Sequence, residues 1–239
     1  MTEMKSLATL FVHGICGHYS QFAGLPDIAA RFGTSETFLL PGHGGAFSAL
    51  LKTGVDDWLG DVDQRLDRLS RSHDEVILVG HSLGALLSLY AAYKNPFRVK
   101  RIFLWAAPLG ISRTSSLRQK LKYRRAQTPK TAGIRLTDLL SVGLPTPLEG
   151  LRMLPLLSNI VSFSKRCEIV YPTLPFDITG FQVQYDEVVD PDRSMRLLKT
   201  NVRANVHLLT ESSHGALVSP ERELVEATFQ EILQASRAE

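Results

Sequence analysis

Residues 75–96, EVILVGHSLGALLSLYAAYKNP, place a serine flanked by glycines between two apolar runs. The first run has the length and branched residues of a buried strand, and the second is typical of a buried helix. A serine on the sharp turn between them exposes its hydroxyl, and small residues such as Gly80 and Gly84 leave room for the crowded backbone. The helix N-terminus adds partial positive charge where an oxyanion would form. The pattern predicts Ser82 as a nucleophile, with a plain Gly-Ser turn that opens a helix as the alternative.

Similar apolar runs recur along the chain and alternate with stretches of helical periodicity. Their near-continuous apolar character is typical of strands buried on both faces, as in a parallel sheet. The predicted strands are LATLFV (7–12), TFLL (37–40), EVILVG (75–80), VKRIFLWAA (99–107), FDITGFQVQ (176–184) and NVHLLT (205–210). Apolar stripes that begin near Phe22, Trp58 and Leu224 predict helices with one buried face. The alternation predicts an α/β fold, a mostly parallel sheet with helices on both faces.

Composition and charge exclude several classes of protein. The 239 residues are 44% hydrophobic and 21% charged, which is typical of a globular domain rather than of a disordered chain. A formal net charge of +3 gives no sign of a nucleic-acid partner, and Cys16 and Cys167 make no disulfide framework. No apolar run approaches the ~20 residues of a membrane span, and the first residues lack the apolar core of a signal peptide. We predict a single domain over 1–239 that is soluble and cytoplasmic.

A nucleophilic serine needs a general base, and two histidines follow Ser82 in the chain. For this kind of turn the expected order is serine, then acid, then histidine. His207 lies inside a predicted strand, where its side chain belongs to a face of the sheet. His214 lies in ESSHGALVSP, a polar turn after that strand, and α/β sheets carry functional groups in such loops. We therefore predict His214 as the base and His207 as a structural residue.

The loop after the first predicted strand, HGICGH at 13–18, is predicted to complete an oxyanion hole. A tetrahedral intermediate needs two backbone N–H donors, one from the residue after the nucleophile and one from this loop. Gly14 lets the chain turn inward. We predict the N–H groups of Ile15 and Leu83 as the two donors.

The same loop has a rival interpretation, because His13, Cys16 and His18 are residue types that bind metals. Their spacing fits no common zinc motif, and a second pair of ligands is not evident. Cys16 as a nucleophile is also disfavoured, since the better-placed base serves Ser82. We therefore expect neither a metal nor another cofactor.

Taken in order, these motifs resemble those of the α/β-hydrolase family, and more narrowly its small bacterial carboxylesterases and monoacylglycerol-lipase-like members. The matching pieces are LFVHG (10–14), PGHG (41–44), TGVDDW (53–58), GHSLG (80–84), DEVV (186–189) and SHG (213–215). The resemblance implies an α/β-hydrolase fold in which Ser82 is the nucleophile, His214 the base and Asp186 the acid that orients the base. Because few residues precede the first strand, it also implies a sheet of about six or seven strands.

Four carboxylates crowd the stretch that supplies this acid, VQYDEVVDPD at 183–192. The preceding predicted strand ends just before Asp186, which puts this carboxylate in the following turn, where it can reach the base. Asp190 precedes a proline and a helical stretch, and that pair is a favoured helix start. We therefore predict Asp190 as a helix cap and as the reserve for the acid. Asp192 is assigned to the first turn of that helix, and Glu187 is expected to face water.

Residues 110–165 interrupt the strand–helix alternation and predict a small helical cap inserted into the domain. Its first part, ISRTSSLRQKLKYRRAQTPKTAGIR, is basic, and its second part is apolar with glycine and proline breaks. By resemblance it covers an acyl pocket, and its leucines either line an acyl channel or pack on the body. We interpret the basic residues as a solvated helix face. The alternative is weak contact with anionic lipid or with the phosphates of an acyl-CoA.

Together these residues predict a serine hydrolase that cleaves carboxylic esters through an acyl-enzyme, of the carboxylesterase or monoacylglycerol lipase type. An acyl-CoA thioesterase would use the same side chains and is the alternative. A non-catalytic binding module is remote, because no member of the set is missing. The expected partner is a small acyl ester, without stable membrane insertion, and the sequence leaves the oligomeric state open.

Overall fold

Six strands form one fully parallel sheet in residues 5–111 and 140–238, the part of the chain that this computed structural model describes. The strands are β1 (Leu7–Val12), β2 (Thr34–Thr37), β3 (Glu75–His81), β4 (Arg101–Trp105), β5 (Asp177–Val183) and β6 (Ala204–Leu209). Across the sheet their order is β2-β1-β3-β4-β5-β6, and each neighbouring pair is parallel. Parallel neighbours need crossover connections, which helices supply.

Helices cover both faces of the sheet. They are α1 (Leu25–Ala30), α2 (Phe47–Leu50), α3 (Val55–Ser72), α4 (Leu83–Lys94), α5 (Pro147–Val170), α6 (Pro191–Leu198) and α7 (Glu221–Ala238). Helices α3, α4 and α5 pack together over one face, whereas α1 and α7 pack together over the other. None of the described helices is both long and apolar enough to cross a bilayer.

Alternate side chains of the central strands enter two separate hydrophobic cores. In β1, Ala8, Leu10 and Val12 join the core under α3 and α4. Leu7 and Phe11 join the core under α1 and α7. Every residue of β1 and of β3 is buried, which is why these strands are near-continuous apolar runs in the sequence. The predicted α/β fold with a parallel sheet is confirmed.

The predicted strands agree with the structure to within two residues, except for TFLL (37–40), which is wrong. β2 instead spans Thr34–Thr37, and its side chains are exposed or half-buried because this edge strand pairs with β1 alone. Phe38 and Leu40 lie in the segment that follows the strand, and both are buried. The apolar run at this point therefore marks the core contacts of a loop.

The predicted cap at 110–165 is described only in part, because residues 112–139 lie outside the described residues. α5 begins inside the predicted cap, where Thr146 accepts the N–H of Glu149, and it continues beyond residue 165. Its second half packs in the core through Ile160, Phe163 and Cys167. Exposed leucines occupy its first half and the preceding turn, namely Leu144, Leu148, Leu151, Leu154 and Leu157. The extent of a cap stays a prediction, and the second half of α5 belongs to the body.

The connections from β1 and β3 leave the sheet toward opposite faces. β1 leads to α1 on one face, and its neighbour β3 leads to α4 on the other. Where adjacent strands diverge in this way, a crevice opens at their carboxyl ends, and such crevices are where open α/β sheets bind ligands. The glycine-flanked serine and the loop at 13–18 lie at this crevice.

Candidate active site

Ser82 occupies a strained turn between β3 and α4, as the strand–turn–helix pattern predicts. Its φ of 52° and ψ of −121° lie in a region that L residues rarely adopt, at a cost of about 1–3 kcal/mol. The turn is held by the Ser82 N–H, which donates to the Trp105 carbonyl at 3.0 Å. A Cβ on Gly84 would lie 1.8 Å from the Val12 carbonyl oxygen, so only glycine fits there. The neighbouring strands β1 and β4 thus hold the turn in its strained conformation.

The three side chains predicted for catalysis meet at the carboxyl end of the sheet. His214 Nε2 lies 2.9 Å from Ser82 Oγ, and His214 Nδ1 lies 2.7 Å from Asp186 Oδ2. Ser82, Asp186 and His214 are all buried, and they follow β3, β5 and β6 respectively. Ser82 and Asp186, which precede His214 by 132 and 28 positions, are thus joined to it in one hydrogen-bonded line.

The Asp186 carboxylate is fixed on its far side by the main chain. Its Oδ1 accepts the N–H of Val188 at 2.8 Å and the N–H of Val189 at 2.7 Å. Asp190 points elsewhere and caps α6, where its side chain accepts the N–H of Arg193 at 3.0 Å. The prediction of Asp190 as a helix cap is confirmed, and Asp192 lies in the first turn of α6 as expected.

Glu187 does not face water as the sequence suggested. Its carboxylate is partly buried, and Oε2 accepts the main-chain N–H of His214 at 3.0 Å. No local sequence pattern indicates this contact, because the two residues are 27 positions apart and lie on different loops. Glu187 therefore belongs to the surroundings of His214.

The electrostatic surroundings of His214 favour its protonated form. Burial lowers the pKa of His214, but the charge and hydrogen bond of Asp186 and the charge of Glu187 outweigh it. The net pKa lies above the ordinary 6.5. His81, whose ring lies 5.1 Å from that of His214, has a pKa held well below 6.5 by burial and by the neighbouring imidazole. A proton taken up at this site therefore rests on His214.

The loop predicted to complete the oxyanion hole passes directly over the serine. A Cβ on Gly14 would lie 2.9 Å from Ser82 Cβ, so glycine permits the close approach. The peptide beyond Ile15 is held by His43, whose Nε2 accepts the Cys16 N–H at 3.1 Å. Leu83 is the first residue of α4. Ile15 and Leu83 thus lie on the two segments that flank Ser82, and their roles as donors stay a prediction.

The three residues considered as metal ligands make other contacts. His13 Nε2 accepts the N–H of Leu40 at 3.0 Å, and burial lowers the pKa of His13 to about 4. His18 Nδ1 accepts the N–H of Ser20 at 3.1 Å. Burial raises the pKa of the Cys16 thiol to about 11, which disfavours a thiolate nucleophile. Among the described residues, no group of three His, Cys, Asp or Glu side chains is placed to hold a metal ion.

The loop that carries His214 is fixed by Glu221 at the start of α7, another contact that the sequence did not reveal. The Glu221 carboxylate accepts the N–H groups of Glu211 at 3.0 Å and Ser212 at 2.8 Å, and also that of Thr210. Burial raises the pKa of Glu221, but these hydrogen bonds and that of the Ser212 hydroxyl outweigh it, so the net pKa is lowered. One carboxylate thus organises the turn that leads to His214.

Replacing Glu221 by alanine is expected to lower the free energy of unfolding by about 2 kcal/mol at pH 7, because three main-chain donors lose a charged acceptor. Because its pKa is lowered in the folded state, the Glu221 carboxylate stabilises the fold above its unfolded pKa. This contribution is lost as the pH falls through the folded pKa. Urea unfolding at pH 7 and in acid checks both points. Glu231→Ala, at an exposed position of the same helix, is the control, and an equal loss there would contradict the role of Glu221.

The model of the alpha/beta hydrolase family matches residues 9–227, which is most of the chain. The chain belongs to the alpha/beta hydrolase family. This match confirms both the family resemblance and the predicted fold, with six strands in the described part of the sheet.

One relative and two solved structures are similar to this chain. The thermostable monoacylglycerol lipase of Bacillus sp. (strain H-257) is 29% identical over 97 residues, a match of 39% of this chain and only 38% of that lipase. A structure described for LipS and LipT, two metagenome-derived lipolytic enzymes, has a TM-score of 0.77 at 20% identity, covering 98% of this chain and 96% of its own. Monoacylglycerol lipase of Paleococcus ferrophilus has a TM-score of 0.66 at 17% identity, covering 96% and 94%. At these identities the solved structures show a shared fold.

Proposed function

We propose that this hydrolase cleaves carboxylic esters, as a carboxylesterase or monoacylglycerol lipase does, with Ser82 as nucleophile, His214 as base and Asp186 as the orienting acid. The observation that carries the proposal is the line of two hydrogen bonds, 2.9 Å from Ser82 Oγ to His214 Nε2 and 2.7 Å from His214 Nδ1 to Asp186. Such a line lets a weak nucleophile lose its proton as it attacks. It lies at the crevice where the fold binds ligands.

In the first half of the reaction, Ser82 Oγ attacks the ester carbonyl carbon while His214 Nε2 takes the hydroxyl proton. Asp186 keeps the other ring proton on Nδ1 and stabilises the imidazolium that forms. The N–H groups of Ile15 and Leu83 donate to the oxyanion. When the tetrahedral intermediate collapses, the alkoxy oxygen leaves with the proton from His214, and the acyl group stays on Ser82.

Water completes the cycle by the same steps. His214 removes a proton from a water molecule, which attacks the acyl carbonyl carbon. Collapse of the second tetrahedral intermediate returns the proton to Ser82 Oγ and releases a carboxylic acid. All proton transfers in this scheme use the protein's own side chains and water.

The similar proteins favour esters as the substrate class. Two are named as monoacylglycerol lipases, in Bacillus and in Paleococcus ferrophilus. Est1E of Butyrivibrio proteoclasticus, with a TM-score of 0.65 at 14% identity, covering all of this chain and 92% of its own, was solved with ferulic acid bound. An acyl-CoA thioesterase is the second candidate, supported by the basic stretch at 111–135, whose cations suit phosphates.

Two measurements test the proposal. A fluorescent alkyl phosphonate, which reacts with activated serines, is expected to label the protein at Ser82, as identified by peptide mass spectrometry. Hydrolysis rates are then compared for aryl esters, monoacylglycerols and acyl-CoAs of matched chain length. Absence of labelling at Ser82 would contradict the nucleophile. A kcat/KM for acyl-CoAs above that for every oxygen ester would establish the thioesterase instead.

The pH dependence of kcat/KM is expected to show a rise whose midpoint lies above 6.5. His214 accepts a proton only when neutral, and its raised pKa moves that state to higher pH. His13 and His81 are neutral near this midpoint because burial lowers their pKa values. Initial rates with an uncharged aryl ester between pH 5 and 9 give the midpoint. A midpoint below 6.5 would contradict this assignment.

A further inference from the structure

The main-chain N–H and carbonyl groups of His214 each contact a side chain from another part of the fold. Its N–H donates to Glu187 Oε2 at 3.0 Å, and its carbonyl oxygen lies 2.8 Å from His81 Nε2. Glu187 follows β5 and His81 ends β3. The loop after β6 is thus contacted by the same two segments that carry Asp186 and Ser82. Glu187 is adjacent to Asp186, and His81 is adjacent to Ser82.

His81 is suited to this contact because it is buried and neutral. Its ring packs against Trp105 at 4.4 Å, and burial lowers its pKa well below 6.5. A neutral imidazole carries one N–H, and placing it on Nε2 satisfies the buried carbonyl of His214. Its Nδ1 lies 2.8 Å from the side-chain carboxamide of Gln21, a group that presents an oxygen or a nitrogen after a half-turn. The ring is thus fixed at both ends.

We propose that Glu187 and His81 are positioning residues that hold the peptide of His214 and thereby set the distance between its ring and Ser82. The inference rests on the proposed function, since it concerns the base of that reaction. Each contact joins the main chain of His214 to a residue that is adjacent in sequence to Asp186 or to Ser82, so a shift at the end of β5 or β3 moves that residue and His214 together. A misplacement of about 1 Å at a reacting group can cost about a hundredfold in rate, so this coupling matters for catalysis.

Glu187 has a second effect that His81 lacks, because it carries a charge. Within residues 5–111 and 140–238, the charged and titratable groups that face His214 are Asp186 and Glu187 from the loop after β5 and the neutral His81 from β3. Asp186 contacts the ring itself, whereas Glu187 contacts the main chain. Removing only the charge of Glu187 therefore leaves the ring hydrogen bonds in place and makes His214 easier to deprotonate.

Paired substitutions separate geometry from charge. Glu187→Gln keeps an acceptor for the His214 N–H, so kcat well above the midpoint should stay within about threefold of wild type while the acid limb moves to lower pH. Glu187→Ala also removes the acceptor and should lower kcat about tenfold to a hundredfold with KM nearly unchanged. His81→Gln preserves a donor and should retain more activity than His81→Ala. Asp192→Asn, which removes an exposed charge from the start of α6, is the control and should leave the profile unmoved.

A readout independent of turnover keeps this test distinct from that of the proposed function. The proton on His214 Nδ1, hydrogen-bonded to Asp186, gives a downfield NMR resonance whose titration follows His214 directly. In Glu187→Gln its midpoint should fall below that of wild type, whether or not any ester is cleaved. Identical midpoints in the two proteins, or an unchanged kcat in Glu187→Ala, would overturn the inference. Absence of phosphonate labelling at Ser82 of the wild-type protein would overturn the proposed function, whereas the NMR comparison would still test the effect of Glu187 on His214.

Discussion

Replacing Ser82 by alanine is expected to lower kcat for ester hydrolysis by about 10⁴- to 10⁶-fold. The substitution removes the Oγ that lies 2.9 Å from His214 Nε2 and keeps the main-chain bond from residue 82 to the Trp105 carbonyl. Alanine meets the same backbone strain at φ 52° as serine does, so the turn should persist. KM should change little, because the lost oxygen acts on the transition state more than on the bound ester.

The structure offers a matched control in the neighbouring helix. Ser88 is fully buried in α4, and its Oγ has no hydrogen-bond partner within the described part of the chain. Ser88→Ala therefore removes a hydroxyl from the same core and should leave kcat within about twofold of wild type. Initial rates of both variants are compared at equal protein concentration, and circular dichroism checks that both are folded. A kcat of Ser82→Ala within about a hundredfold of the wild-type value would contradict the proposed mechanism.

The fold was predictable where local pattern and tertiary burial agree. β3 and α4 are buried along nearly their whole length, so continuous apolar runs mark both of them, and the glycines between them report the tight turn. The same rule failed at 37–40, because Phe38 and Leu40 are buried without being in a strand. At an edge, pairing on one side leaves Thr34–Thr37 without the apolar signature. Hydrophobicity reports burial, and burial indicates a strand only inside the sheet.

The site was predictable as residue types in chain order, but its supports were not. Ser82 and His214 stand at recognisable positions, one in a glycine turn and one in a polar loop after a strand. Glu187 and His81 contact the main chain of His214, and Glu221 contacts the main chain just before it. Any acceptor or donor of suitable length could make such contacts. Such contacts depend on how loops meet in space, and no local spacing encodes them. The sequence accordingly suggested that Glu187 faces water.

Replacing Asp186 by asparagine is expected to lower kcat by about 10⁴-fold, through the tautomer of His214. The N–H groups of Val188 and Val189 both donate to Asp186 Oδ1, so an asparagine must turn its oxygen toward them. Its amide nitrogen then faces His214 Nδ1 and donates to it. The single proton of the neutral imidazole moves to Nε2, which points at Ser82 Oγ and can no longer accept its proton.

Asp190→Asn is the matched control, because it removes a carboxylate from the same turn. Its side chain caps α6 by accepting the Arg193 N–H, and asparagine is an equally good cap, so the cost in stability should be below about 0.5 kcal/mol. Its kcat should stay within about twofold of wild type. The downfield resonance of the proton on His214 Nδ1 should disappear in Asp186→Asn and persist in Asp190→Asn. A larger loss of kcat in Asp190→Asn than in Asp186→Asn would identify Asp190 as the acid. The main-chain contacts of Asp186 would then have no role in catalysis.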